Sequence, residues 1–235
     1  MVFLYSQNYV FERDVWCVKE FPNFNDYTLL KSHRKKGFEE IGKKNSALKH
    51  LSDSDFLSDE SLRCSLSRTK ASIRDIALCN NFEFFYTQTF SSEYRYDFEK
   101  VVSEYKKSLK AYKRKYKDFK FLVIYEKHND GAIHLHGLLK GLGDDLYVNN
   151  YGYFSIKHFE KLGFCSLSKI RDYDKCCNYI TKYISKDFLK TSKNQIYFCS
   201  KGLDKPIKKY YSYDEINIQD LKLVYQNDYV KKFKE

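Results

Sequence analysis

Residues 119–141 read FKFLVIYEKHNDGAIHLHGLLKG, two apolar runs on either side of Asn-Asp-Gly. That is the composition of a tight turn between paired strands, so the centre of any fold open to this chain is an antiparallel β-hairpin. In a strand, alternate residues share a face. His134 and His136 therefore project together, while Ile133, Leu135 and Leu139 point the other way, into a core. The run FLVIY is far too short to cross a membrane.

The flanking segments extend this hairpin into a sheet with helices. From Ser61 to Asn80, Leu62, Leu66, Ile73, Ile76 and Ala77 recur at helical spacing among Arg63, Arg68, Lys70 and Arg74, which predicts a basic helix. FEFFYTQTF (82–90) reads as a strand. Phe98, Val101, Val102, Tyr105, Leu109, Tyr112 and Tyr116 fall on one side of a 3.6-residue period and predict a long amphipathic helix. After a Gly-, Asn- and Tyr-rich loop come a strand at 163–170, a helix over about 172–189 and a last strand at 195–200. The order β, α, β, β, β, α, β predicts an α+β fold, an antiparallel sheet with helices packed on one face. Residues 1–60 carry a basic cluster, KSHRKKG, and an acidic Ser-rich stretch but weak periodicity, and read as a loosely organised N-terminal arm. The ordered region spans 61–206, and 207–235 reads as a C-terminal tail.

With 42 Lys+Arg against 31 Asp+Glu, the net charge of +11 suits a polyanionic partner. An aromatic share of 18% suits single-stranded nucleic acid in particular, because bases stack on rings while phosphates meet cations. The same rings also serve simply to fill a core. Seven cysteines without a CxxC fit neither a disulfide framework nor a zinc finger, and the N-terminus lacks the pattern of a signal peptide. The expectation is a soluble, reduced, cytoplasmic protein with no membrane association. No G-x-x-x-x-G-K-[ST] occurs, so this chain contains no P-loop motor.

Two imidazoles on one strand face suit a shared metal ion, although a lone His-x-His is equally compatible with two hydrogen-bonded surface histidines. A third ligand depends on the hairpin loop. With an odd number of loop residues Glu126 faces His134, whereas a two-residue Asp-Gly turn pairs it with Leu135 on the wrong face. His128, inside the turn, reads as plain surface. Two histidines and a carboxylate leave coordination positions open, as a catalytic metal needs. Non-haem iron oxygenases use a similar set, and cupins follow His-x-His with a Glu, a place taken here by LLKGLG.

The stretch YITKYISK (179–186) writes Tyr-Ile-x-Lys twice. On a helical wheel Tyr173, Cys177, Ile180, Ile184 and Phe188 gather on one apolar arc, with Tyr179, Lys182, Tyr183 and Lys186 on another. The two tyrosines would stand about 5–6 Å apart at Cβ. Each lysine is placed to hold a phosphate that a phenol attacks. The bland alternative is an amphipathic helix whose tyrosines cover the rim of the core.

Together these stretches resemble the rolling-circle replication initiators of the HUH endonuclease superfamily, in their two-tyrosine phage and plasmid form. HLHG (134–137) is similar to the His-hydrophobe-His motif and the doubled tetrapeptide to the tyrosine motif. FFYTQTF (84–90) is similar to the first motif, with Gln88 where that motif has Leu. YFCSKGLDKP (197–206) resembles the closing segment of the domain. The resemblance covers about residues 62–206 and implies a ferredoxin-like, RRM-like sheet with its metal site on the open face. It implies Mg²⁺ or Mn²⁺ on His134, His136 and Glu126, with Tyr179 and Tyr183 as alternating nucleophiles. Lys182 and Lys186 would position phosphate, and Thr87, Thr89 and Arg74 would contact DNA. The implied activity is site-specific nicking and rejoining of single-stranded origin DNA through a 5′-phosphotyrosine, with a host helicase and polymerase as partners. An HUH-type transposase would use the same chemistry. An RRM-like binder of single-stranded DNA would show none.

Overall fold

The computed structural model describes residues 14–31, 59–184, 197–227 and 230–234. Among the described residues twelve strands run in chain order: β1 (Val15–Glu20), β2 (Asn25–Leu30), β3 (Phe84–Phe90), β4 (Lys120–Lys127), β5 (Ile133–Lys140), β6 (Leu146–Val148), β7 (Phe154–Ile156), β8 (Gly163–Lys169), β9 (Tyr197–Cys199), β10 (Ile207–Ser212), β11 (Lys222–Gln226) and β12 (Val230–Lys234). The α-helices are α1 (Asp59–Leu78), α2 (Phe98–Lys115), the single turn α3 (Lys157–Glu160) and α4 (Tyr173–Tyr179), which tightens into a 3₁₀ turn over Ile180–Tyr183. The chain divides into two compact units, residues 57–204 and the two ends together.

In the first unit seven antiparallel strands lie in the order β6-β7-β8-β3-β5-β4-β9. β3 alternates buried and half-buried residues along its whole length, as a two-faced strand should. β4 is buried almost continuously because both of its faces are covered. Asp97 caps α2 by accepting from the Lys100 amide at 3.0 Å, and Lys113, Arg114 and Lys115 occupy the last turn, where cations oppose the helix dipole. Val101, Tyr105, Leu109 and Tyr112, spaced three and four apart, bury one stripe of α2. The Tyr105 ring lies 6.4 Å from that of Tyr86, 5.7 Å from Phe159 of α3 and 5.7 Å from Phe198 of β9. One face of the sheet is thereby closed into an aromatic core. Gln88 sits fully buried on this side, its side chain accepting from the Tyr86 hydroxyl at 2.9 Å.

The helices do not all keep to one face. Tyr197 pairs with Ile124, on the face opposite α2, and its hydroxyl lies 3.5 Å from the Ser72 hydroxyl of α1. The Tyr173 hydroxyl of α4 donates to the Ala77 carbonyl of α1 at 2.7 Å and accepts from the Phe82 amide at 2.9 Å. Helices α1 and α4 therefore flank the second face. The expected single-sided packing holds for α2 and α3 only. The expected helix over 172–189 is α-helical to Tyr179, with 185–189 outside the described residues. In what reads as a plain loop between 141 and 163, the hairpin β6–β7 and α3 form instead.

The chain ends form a five-stranded antiparallel sheet in the order β10-β1-β2-β12-β11. Its core is Trp16, 1% exposed, with Leu29 and Phe233, and the indole donates to the Tyr213 carbonyl at 3.0 Å. Strands β1 and β2 are thus sheet partners of β10 and β12, where an arm and a tail are expected from the sequence. The seven cysteines are free thiols. Among the described residues no helix is long and apolar enough to cross a membrane.

Candidate active site

The register of β3, β5 and β4 builds the second face of the first unit. Thr87 and Thr89 of β3 stand opposite His136 and His134 of β5, and β5 in turn sets Glu126 of β4 opposite His134. The hairpin loop has five residues, 128–132, closed by the His128 amide donating to the Ala132 carbonyl at 2.9 Å. An odd loop puts Glu126 on the histidine face, so the condition for its joining them is met. The backbones approach closely at Gly137, where an added Cβ would lie 2.9 Å from Val123 Cγ2 and 3.0 Å from the Leu122 carbonyl.

Glu126 Oε2 lies 2.8 Å from His136 Nε2 and 3.1 Å from His128 Nε2. The His128 ring stacks on His134 with centroids 3.8 Å apart. His128, which reads as surface in the sequence, therefore belongs to the cluster. Its signal is parity, since residue 128 shares a face with 126 once the loop length is known. His136 is 7% exposed, and burial pulls its pKa below the usual histidine value despite the neighbouring carboxylate. Burial lowers His134 as well, and His128 beside it acts in the same sense. At neutral pH the short His136–Glu126 contact is a hydrogen bond from a neutral imidazole rather than an ion pair. Behind the rings, Thr87 Oγ1 lies 3.3 Å from His136 Nδ1 and Thr89 Oγ1 3.3 Å from His134 Nδ1. With His136 Nε2–H given to Glu126, the Thr87 hydroxyl donates to the bare Nδ1; in the other tautomer, with Nε2 turned to a ligand, each hydroxyl would accept from Nδ1–H.

Neutral imidazoles with a carboxylate on one rigid face fit the donor preferences of a divalent cation. As they stand, the donors close on one another through Glu126. Among the described residues no group of three or more His, Cys, Asp or Glu is spread in an ion-holding arrangement. An ion would replace the hydrogen bonds that Glu126 accepts from the imidazoles.

Cys177, Ile180 and Ile184, all buried, seat α4 and its 3₁₀ extension against the sheet. From the same turn, Tyr183 faces the histidines. Tyr183 stacks on His136, with centroids 3.6 Å apart and planes 13° from parallel. Its hydroxyl donates to that of Tyr179 at 2.9 Å, and the two rings meet edge-on at 5.4 Å. Burial, followed by this hydrogen bond, pushes the Tyr183 phenol well above its ordinary pKa. Tyr179 is 45% exposed, with Lys182 Nζ 5.2 Å above its ring. Phe85 lies beneath, 6.1 Å from the His136 ring and 5.8 Å from Tyr179. Nothing in the motifs singles out Phe85, although it shares the parity of Thr87 and Thr89. Arg74 Nε donates to Asn178 Oδ1 at 3.0 Å, one residue before Tyr179. Lys186 lies outside the described residues.

Residues 83–188 match the model of the family described as replication-associated protein, ORF2 type. The match takes in β3, the histidine strand and the doubled tetrapeptide, and covers less than half of the 235-residue chain. It supports a part in DNA replication, as a replication initiator. No curated protein and no solved structure matches the chain.

Proposed function

We propose that this chain nicks and rejoins single-stranded DNA at a replication origin, as a two-tyrosine initiator of the HUH type. The observation that carries the reading is the meeting of two phenols with a histidine–carboxylate cluster on one sheet face. The central strand order β8-β3-β5-β4, with α2 crossing from β3 to β4, is that of a split β-α-β-β-α-β sheet and supports the ferredoxin-like reading.

Mg²⁺ or Mn²⁺, held by His134, His136 and Glu126, would supply Lewis-acid polarisation of the scissile phosphate. The chain's own residues do the rest. Tyr179 offers an exposed phenol oxygen, already accepting a hydrogen bond from Tyr183, so negative charge growing on that oxygen meets a donor in place. Attack forms the bond from Tyr179 Oη to phosphorus as the bond from phosphorus to the 3′-oxygen breaks. The phenol gives up its proton to solvent and the leaving oxygen takes one, ending as a free 3′-OH. Lys182 beside the ring offsets phosphate charge. The phosphotyrosine keeps the energy of the broken linkage, so attack by a 3′-OH reseals the strand without a nucleotide cofactor. Tyr183 is the second nucleophile, free to cut again while Tyr179 still holds DNA. The 3′-OH would prime a host polymerase, and unwinding would fall to a host helicase.

The test is a labelled library of single-stranded oligonucleotides incubated with the protein and Mn²⁺, then resolved under denaturing conditions. A covalent adduct that disappears in the Tyr179→Phe/Tyr183→Phe double variant is expected. Absence of any adduct, or one undiminished in that variant, would reject the mechanism. DNA binding that is the same in Mn²⁺ and in EDTA, with no adduct from the wild type in Mn²⁺, would favour a noncatalytic binder.

A further inference from the structure

Beside Tyr179 the sheet opens into a groove of about 1180 Å³, with Phe85 on its lining, Lys182 at the tyrosine end and the tip of the β6–β7 hairpin at the other. Small-molecule pockets run to roughly 300–1,000 Å³. This one is larger and open along its length, which suits a chain better than a compact metabolite. Its lining adds Lys169, Arg171 and Lys175 to Lys182. Among the described lining residues the only carboxylate is that of Asp172, held to Lys175 at 2.7 Å. The charge complement is therefore that of a polyanion.

The hairpin tip adds a stacking surface. Tyr153, on the groove, is 54% exposed, and Tyr151 beside it 78%. Two exposed rings on one hairpin tip make an apolar patch rather than a scattered single residue, and such patches mark contact sites. The turn between them is held in shape. Asn149 Oδ1 accepts from the Tyr151 amide at 3.0 Å and the Tyr153 amide at 3.1 Å, and the Asn149 amide donates to the Tyr153 carbonyl at 2.8 Å. Gly152 supplies the positive φ of 80° that the turn needs. The rings are presented with little backbone entropy left to lose on binding.

We infer that this groove seats the single strand next to the scissile phosphate, with a base stacked on Tyr153 and phosphates on Lys169 and Arg171. The inference rests on the reading of Tyr179 as the nucleophile. Aromatic and cationic groups alternating along an open channel are the general means of holding single strands without regard to sequence.

The test uses the full chain as the Tyr179→Phe/Tyr183→Phe variant in EDTA, so that binding is read with chemistry switched off. Fluorescence anisotropy compares a labelled thymidine 20-mer with an abasic 20-mer. Adding Tyr153→Ala is expected to weaken the thymidine strand about tenfold and leave the abasic strand unchanged, with Tyr153→Phe restoring affinity. Lys169→Glu/Arg171→Glu should weaken both strands. If Tyr153→Ala leaves the thymidine strand unaffected or weakens both strands equally, the groove assignment is overturned. Displacement of the DNA by a polyglutamate peptide at equal charge would overturn it too. Loss of the groove effect while the wild type still forms its adduct would reject the groove and spare the nicking reading. An intact groove without any adduct would do the reverse.

Discussion

The phenol ring of Tyr183 lies flat on the imidazole of His136, centroids 3.6 Å apart, and its hydroxyl donates a hydrogen bond to that of Tyr179. The two tyrosines of the doubled tetrapeptide are therefore not equivalent. One is packed against the histidine pair, the other exposed beside a lysine and a groove.

On the proposed mechanism, that asymmetry sets which phenol acts first. Tyr179→Phe is expected to slow the first cleavage about 100-fold, since a phenol misplaced by an ångström or more costs on that scale. Tyr183→Phe, which removes the hydrogen bond to Tyr179, should slow the first cleavage less than Tyr179→Phe does and abolish the second transfer. Single-turnover cleavage followed by strand-transfer assays on each variant checks the order, and equal losses would contradict it.

Thr87 and Thr89 back the histidines at Nδ1. Replacing both with Val keeps their shape and removes the hydroxyls. The expected result is a loss of about 10-fold in Mn²⁺ affinity, in the range for groups that orient metal ligands, with DNA binding in EDTA unchanged. Calorimetric titration with Mn²⁺ reads the first and anisotropy the second.

Much of this face was legible from residue parity alone. In FFYTQTF, YEK and HLHG every second residue belongs to the site, and those alternations are visible in the letters. Parity between strands is another matter, because it depends on loop length, and Asn-Asp-Gly fits a two-residue turn as well as the five-residue loop that forms. That ambiguity left Glu126 conditional and hid His128. The terminal sheet was illegible for a different reason. β1 pairs with β10, some 190 residues away, and neither strand carries enough apolar alternation to announce itself without its partner. The β6–β7 hairpin is made of three-residue strands in Tyr- and Asn-rich sequence, which reads as loop because its stability comes from pairing with β8.

At Gly137 a methyl group would press into Val123 and the Leu122 carbonyl. Gly137→Ala should lower stability by about 1–3 kcal/mol, the usual penalty of overpacking, without removing any side chain of the candidate site. Urea denaturation followed by circular dichroism measures it.

Trp16 is the only tryptophan of the chain and packs on Phe233 at 5.4 Å, so its emission reports on the terminal sheet alone. Phe233→Ala is expected to cost about 3–5 kcal/mol there and to shift the emission of Trp16 to the red at lower denaturant. An unchanged spectrum and midpoint would mean that the two chain ends do not share a core.

The most direct measurement is the position of the covalent bond. Wild-type protein trapped on single-stranded DNA with Mn²⁺, digested and sequenced by mass spectrometry, should carry its nucleotide on the phenolic oxygen of Tyr179, with a minor share on Tyr183. Attachment at any other side chain, or the absence of attached nucleotide where strands have been cleaved, would contradict the account.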